Sequence, residues 1–236
     1  MPVHTNRLLS ALTPESQERL MSLCTPVHLP LKTPLYNTEE TPVHAYFMTS
    51  GMASVVTTME DGGVAEVGVI GLEGLVGAYH LLGPSKISTD CFIQLEGTAL
   101  RITMRDLRNA FKTSDDIRDR ILEFVQSSSL TISQIAGCNR LHEAEERLAR
   151  WLLMAQDRTQ SHEMYFTQEF LAMMVGARRT TVTLIAGALQ RADLIEYSRG
   201  RVTILDRERL ETAACDCYRI SRDLFTNLYG YPAQTF

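Results

Sequence analysis

The stretch from residue 166 to residue 206, FTQEFLAMMVGARRTTVTLIAGALQRADLIEYSRGRVTILD, constrains this chain more than any other. Thr167 is placed to cap a helix that carries Glu169 in its first turn. Leu171, Met174 and Val175 share one face of that helix, and Ala172 is small enough for a second helix to cross closely. Gly176 ends it, since a left-handed residue costs least without a Cβ. A second helix from about Arg178 buries Val182, Ile185 and Leu189, and its start carries Arg178, Arg179, Thr180, Thr181 and Thr183. Residues 194–197 and 201–205 then read as two strands joined through Ser198, Arg199 and Gly200. Two helices about a tight turn, followed by a ribbon, outline a winged helix-turn-helix.

In that motif the start of the second helix enters the major groove. Arg can pair with a guanine edge there, and Thr can meet a phosphate or a thymine methyl. The candidate DNA contacts are Thr167, Gln168, Arg178, Arg179, Thr180, Thr181, Thr183, Arg199 and Arg201. The competing reading is a solvated surface helix, and the helix–glycine–helix spacing with its wing weighs against it. Arg199 and Arg201 at the ribbon tip suit a phosphate, or equally a solvated turn. A net charge of −5 argues against non-specific coating of DNA and leaves a local basic footprint open.

Residues 27–103 differ in character. Runs such as AYFMTSGMASVVTT, AEVGVI, DCFIQL and TALRIT are short, β-rich and punctuated by Gly and Pro. Asp61-Gly62-Gly63 and Ser50-Gly51 mark turns, so a small sandwich or jelly-roll barrel is expected. Ahead of it, Thr13-Pro14-Glu15 begins a helix. The expected fold is therefore α+β: barrel sensor over residues 1–114, long helix over 115–139, and winged helix-turn-helix over 140–236.

Along the long helix, Ile117, Ile121, Phe124, Ser128, Thr131, Ile135 and Cys138 alternate at spacings of four and three. That pattern fits the seam of a homodimer, or packing on the chain's own barrel. Its polar middle marks a register lock or a ligand contact. Dimerisation would set two recognition helices about 34 Å apart, one turn of DNA.

The order of barrel, long helix and winged motif resembles the Crp/Fnr family of bacterial transcription regulators. The resemblance covers nearly the whole chain and is sharpest in MMVGARRTTVT, YSRGRVTILDRERL and EERLARWLLMAQDR. It implies a cyclic-nucleotide-binding-type barrel, a dimerisation helix and a DNA reader, with double-stranded DNA, a second copy of the chain and RNA polymerase as partners. Arg179 matches the arginine that the family aims at guanine. Thr180 stands where several members place a base-reading glutamate, which puts any borrowed operator in doubt.

The cassette that grips cyclic AMP in the family is not matched by GLEGLVGAYHLLGPSKIST: Gly77 precedes Ala78, Ile87 precedes Ser88, and Lys86 lacks the fork of Arg. An unpaired cyclic phosphate would cost several kcal/mol, so the effector is expected not to be cyclic AMP. Glu73 is out of register for the ribose ligand. Cys24 alone lies near the amino terminus, against an iron–sulfur cluster, and a lone His80 argues against haem. Cys215-x-Cys217 lacks a second pair and reads as a weak metal signal or as two small hydrophobes. No cofactor, metal or catalytic residue is expected.

The rival classes are a metal-dependent jelly-roll enzyme and a ligand-binding module without DNA function. For the enzyme, His28, His44 and His80 are scattered singly, without neighbouring carboxylates at ligand spacing. Five cysteines without close pairing, no long apolar run and a polar start at residues 1–10 suggest a cytoplasmic protein.

Overall fold

A computed structural model describes residues 6–83 and 86–230. Two short helices lead in, α1 (Arg7–Ser10) and α2 (Pro14–Ser22), the latter capped by Thr13 with Pro14 at its first position. Eight strands follow: β1 (Thr25–Leu29), β2 (Pro34–Tyr36), β3 (His44–Met48), β4 (Met52–Thr58), β5 (Val64–Ile70), β6 (Leu75–Val76), β7 (Asp90–Leu95) and β8 (Gly97–Thr103). They form two four-stranded antiparallel sheets, ordered β1-β8-β3-β6 and β2-β7-β4-β5, which is the jelly-roll arrangement. At the β4–β5 turn the Gly63 amide donates to Asp61 Oδ1 at 2.9 Å, closing the hairpin its sequence announces.

After α3 (Met104–Thr113) comes α4 (Asp115–Leu141), whose 27 residues span about 40 Å. Ser114 caps it by accepting from the Ile117 amide, and Asp115 and Asp116 suit the positive end of its dipole. His142 ends it, and α5 (Ala144–Thr159) begins at once with a capping box between Glu143 and Glu146.

The remaining elements are β9 (Glu163–Tyr165), α6 (Gln168–Val175), α7 (Arg179–Arg191), β10 (Ile195–Ser198), β11 (Arg201–Ile204), α8 (Arg207–Ala213) and α9 (Cys217–Asn227). The strands pair as a small antiparallel sheet, β10-β11-β9. Thr167 caps α6 by accepting from the Phe170 amide, and Gly176 closes it at φ +58°, the left-handed conformation expected of it.

Two main apolar cores result. One fills the barrel around Phe47, Ile93, Ile102 and Leu107. The other gathers α5, α6, α7 and the wing around Trp151, whose ring meets Phe166 and Phe170 edge-on at 4.7 and 5.6 Å. Met52 of β4 belongs to this second core, and Val69 and Leu95 pack against it, so the barrel and the carboxy-terminal unit share a hydrophobic joint.

The spacing along α4 holds, but its facing differs from a pure dimer seam. Ile117, Ile121 and Phe124 lie in the barrel core of their own chain, and Cys138 is buried against Cys215. A 3.5-residue period marks a buried stripe without saying which neighbour buries it, and here the chain's own barrel core buries the first part of the stripe. Ser128, Thr131 and Ile135 border a cavity between α4 and β5. The outward face carries Leu122, Leu130 and Leu141 instead.

Candidate nucleic-acid interface

The small core positions α7. Val182, Ala186 and Leu189 are buried, so the opposite face of the helix must point outward. That face carries Arg179, Thr180, Thr183 and Leu184; Thr181 is half-buried, and Arg178 is exposed at the N-cap. Leu184 is 73% exposed, an unusual position for a leucine, and escaped the sequence reading. Its spacing of four from Thr180 was the available signal.

Thr167, Gln168, Arg179, Thr183 and Arg199 border one open depression between α6, α7 and the wing. Thr183 Oγ1 lies 2.8 Å from Gln168 Oε1, tying the two helices together at that surface. The Tyr197 hydroxyl donates to the Phe166 carbonyl at 2.9 Å and fixes the wing against the start of α6. Arg199 and Gly200 both have positive φ, +50° and +82°, as a two-residue hairpin of the I′ type requires. The arginine is therefore held at the exposed tip in a conformation that costs a side chain about 1–2 kcal/mol.

The basic groups are not all free. Arg179 Nη1 lies 2.7 Å from Glu169 Oε1, and Arg201 Nη1 lies 3.0 Å from Glu163 Oε1. Both pairs are exposed, so each is worth about 0–1 kcal/mol and is open to exchange for a phosphate or a base. Arg201 faces β9, away from the depression that Arg179 and Arg199 border.

The sensor side is more closed. Between α4 and β5 lies a cavity of about 50 Å³, lined among others by Tyr79, Phe124, Ser128, Thr131 and Ile135, with Phe225 and Leu228 from the far end of the described chain. Beside it Arg158 Nε donates to Glu73 Oε1 at 3.0 Å in a pair that is almost wholly buried. Glu73 Oε2 also accepts from the Gly71 amide. The carboxylate left out of the ligand set by its register thus serves as a link between barrel and α5. Of the matching cassette, Pro84 and Ser85 lie outside the described residues.

His80 is buried with its ring edge-on to Tyr36 at 4.8 Å, and burial lowers its pKa. His28 pairs with Glu96 at the surface. The three histidines of the barrel do not converge.

The expectation of a chain without metal or cofactor is corrected at the other end of α4. Cys138, His142, Cys215 and Cys217 bring four potential ligand atoms within 4.8 Å of one another. Sequence spacing hid this group because Cys215 and Cys217 reach α4 only through the packing of α9. The i, i+4 spacing of Cys138 and His142 on one helix face, together with the Cys-x-Cys, was the signal available.

Residues 26–114 match the family model described as a cyclic nucleotide-binding domain, and residues 146–213 that described as a Crp-like helix-turn-helix domain. No curated protein matches the chain. Among solved structures, FixK2 from Bradyrhizobium japonicum is 14% identical, with 81% of this chain and 98% of that one covered at a TM-score of 0.69. A regulator of the Crp/Fnr family from Eubacterium rectale is 17% identical, with 89% and 98% covered at 0.68. The c-di-GMP responsive global regulator CLP from Xanthomonas campestris is 18% identical, with 82% and 100% covered at 0.66. At these identities the structural likeness establishes the fold.

Proposed function

The chain belongs to the Crp/Fnr family of transcription regulators, and from that premise we propose that it reads DNA as a homodimer under control of an effector other than cyclic AMP. The observation that carries the reading is the outward face of α7, with Arg179, Thr180 and Thr183 beside the wing tip at Arg199. The start of α7 enters a major groove about 12 Å wide, with Arg179 on a guanine edge. Thr180, Thr181 and Thr183 meet bases or nearby phosphates. Arg178, Arg199 and Arg201, with Thr167 and Gln168 at the head of α6, hold the backbone. RNA polymerase is the partner through which bound protein would act on transcription.

The working parts are a sensor over residues 1–114, a helix over 115–139 and a reader over 140–236. The dimer contact is assigned to the outward face of α4, where Leu122, Gln126, Leu130, Ser133, Gly137 and Leu141 recur at spacings of three and four. Leu130 and Leu141 are 50% and 77% exposed in the single chain, apolar surface that a second α4 would cover. Ser128, Thr131 and Ile135 then serve the cavity behind them.

Two features argue against cyclic AMP. Ligand sites for molecules of that size usually offer about 300–1,000 Å³, and the cavity has about 50 Å³. The nearby guanidinium of Arg158 is already committed to Glu73. CLP, a protein of the same fold, is c-di-GMP responsive, which supports a signal other than cyclic AMP on this fold.

The test is selection of sites from random duplex DNA by purified protein, without ligand and again with cell extract. Enrichment of a two-fold symmetric site with half-sites about 34 Å apart is expected. A lone half-site removes the homodimer, and no enrichment under either condition removes the DNA reading.

A further inference from the structure

We propose that Cys138, His142, Cys215 and Cys217 form a tetrahedral Zn²⁺ site that staples the end of α4 to the start of α9. The four potential ligand atoms lie within 4.8 Å of one another. Cys138 Sγ is 3.4 Å from Cys215 Sγ, and Cys217 Sγ is 3.5 Å from His142 Nδ1. A tetrahedron with metal–sulfur bonds of about 2.3 Å has edges of about 3.8 Å, so the group closes on one ion with small side-chain movements. An iron–sulfur cluster holds its thiolates further apart. Three thiolates and an imidazole are soft to borderline donors, which favours Zn²⁺ over Mg²⁺ or Ca²⁺.

The surroundings are those of a metal site. His142 turns Nδ1 towards the thiols, and its other nitrogen, Nε2, lies 3.4 Å from Asp216 Oδ1. A carboxylate on the far nitrogen fixes the tautomer and orientation of a metal-bound imidazole. The Gln134 amide donates to Cys217 Sγ at 3.1 Å. Arg150, 1% exposed, has no ion pair among the described residues; its Nη1 contacts only the Met154 sulfur and its Nε has no partner. Its positive charge favours the ionised forms of Cys138, Cys215 and Glu66. Zn²⁺ with three thiolates and a neutral imidazole carries one net negative charge, which offsets this buried cation. A disulfide between Cys138 and Cys215 would account for neither the third thiol nor the oriented imidazole.

His142 is also the residue at which α4 gives way to α5, so the ion would fix the angle between the long helix and the DNA-reading unit. This coupling rests on the proposed DNA function; the site itself does not. The probe is Co²⁺ added to the reduced, metal-free full chain. One equivalent should give the visible bands of tetrahedral Co²⁺ with thiolate-to-metal charge transfer, displaced by Zn²⁺. Cys138→Ser and Cys215→Ser should lose the signal, while Cys24→Ser and Cys91→Ser, both in the barrel, should keep it.

If the wild type, reduced, gives no thiolate–Co²⁺ signal, the site does not exist, whether or not any variant folds. The same holds if full signal survives in folded Cys215→Ser, or if a Cys138–Cys215 disulfide forms and its reduction yields no Co²⁺ uptake. Chelation should shift the affinity for a selected DNA site by about 5–150-fold. Metal uptake with unchanged affinity overturns the coupling and leaves the site standing.

Discussion

At the scale of single residues, each proposed DNA contact has its own measurable consequence. Arg179 must leave Glu169 to reach a base, and the exchange is cheap because the pair is exposed. Arg179→Ala is expected to weaken the best sites by about 1–3 kcal/mol and to relax base choice at one position of each half-site. Binding measurements on matched and single-mismatch duplexes check this, and equal losses on every sequence would remove the base contact. Arg199→Gly tests the proposed phosphate contact without a penalty to the fold: it removes the guanidinium and at the same time relieves the positive φ at the wing tip. Affinity should fall alike for all sequences, and the salt slope should drop by about one, which a titration against salt reads directly. The exposure of Arg178, Arg179, Thr180 and Thr183 was legible from their position after Gly176. The partners Glu169 and Glu163 were not assigned, because pairing across a turn or a ribbon leaves no periodic mark.

At the level of elements, glycine punctuation was the most readable signal. Gly176 sits at φ +58° with open space where a Cβ would go, so Gly176→Ala carries only the conformational cost. A loss of about 1–2 kcal/mol in urea unfolding, with the slope unchanged, is expected. A much larger loss would mean that the turn is packed more tightly than it stands here. The strands of the barrel were equally plain from short β-rich runs and the turns between them. Helix α4 shows the limit of such reading. Its period was visible, yet Ile117, Ile121 and Phe124 lie in the core of their own barrel while Leu130 faces outward, and a sequence repeat does not name the surface that covers it. The cysteine group was hidden for a related reason: Cys138 and Cys217 are neighbours only once α9 has folded back onto α4.

At the scale of the whole molecule, the barrel and the reader are joined by polar links as well as by packing. Removing the carboxylate in Glu73→Ala would leave Arg158 buried and unpaired, at a cost of about 3–5 kcal/mol. Denaturant unfolding checks it, and a loss below about 1 kcal/mol would mean that the pair behaves as a surface one. A second link is Glu66, which accepts from the indole of Trp151 at 2.8 Å and from Ser54 at 2.9 Å. Burial raises its carboxyl to about 7 from an ordinary value of 4.5, against the lowering effect of those two hydrogen bonds. A raised acid contributes stability that is fully present below pH 4.5 and is lost as pH rises through about 7. Trp151 is the single tryptophan, so its fluorescence should step near pH 7, and Glu66→Gln should abolish the step. Persistence of the step in that variant would assign it to another group.

The links between the ends of the chain bear on how the protein is made. Arg7 donates to the carbonyls of Phe225, Thr226 and Leu228, and Leu228 itself lies in the barrel core. On the ribosome the eight strands emerge before the winged motif, and their core gains Leu228 only after that motif has been translated. At about 5–20 residues per second the interval lasts roughly 6–25 s. Until Leu228 arrives, the cavity beside Phe124 lacks one of its apolar walls. The barrel is translated before the winged motif, yet its core is completed by a residue that follows that motif.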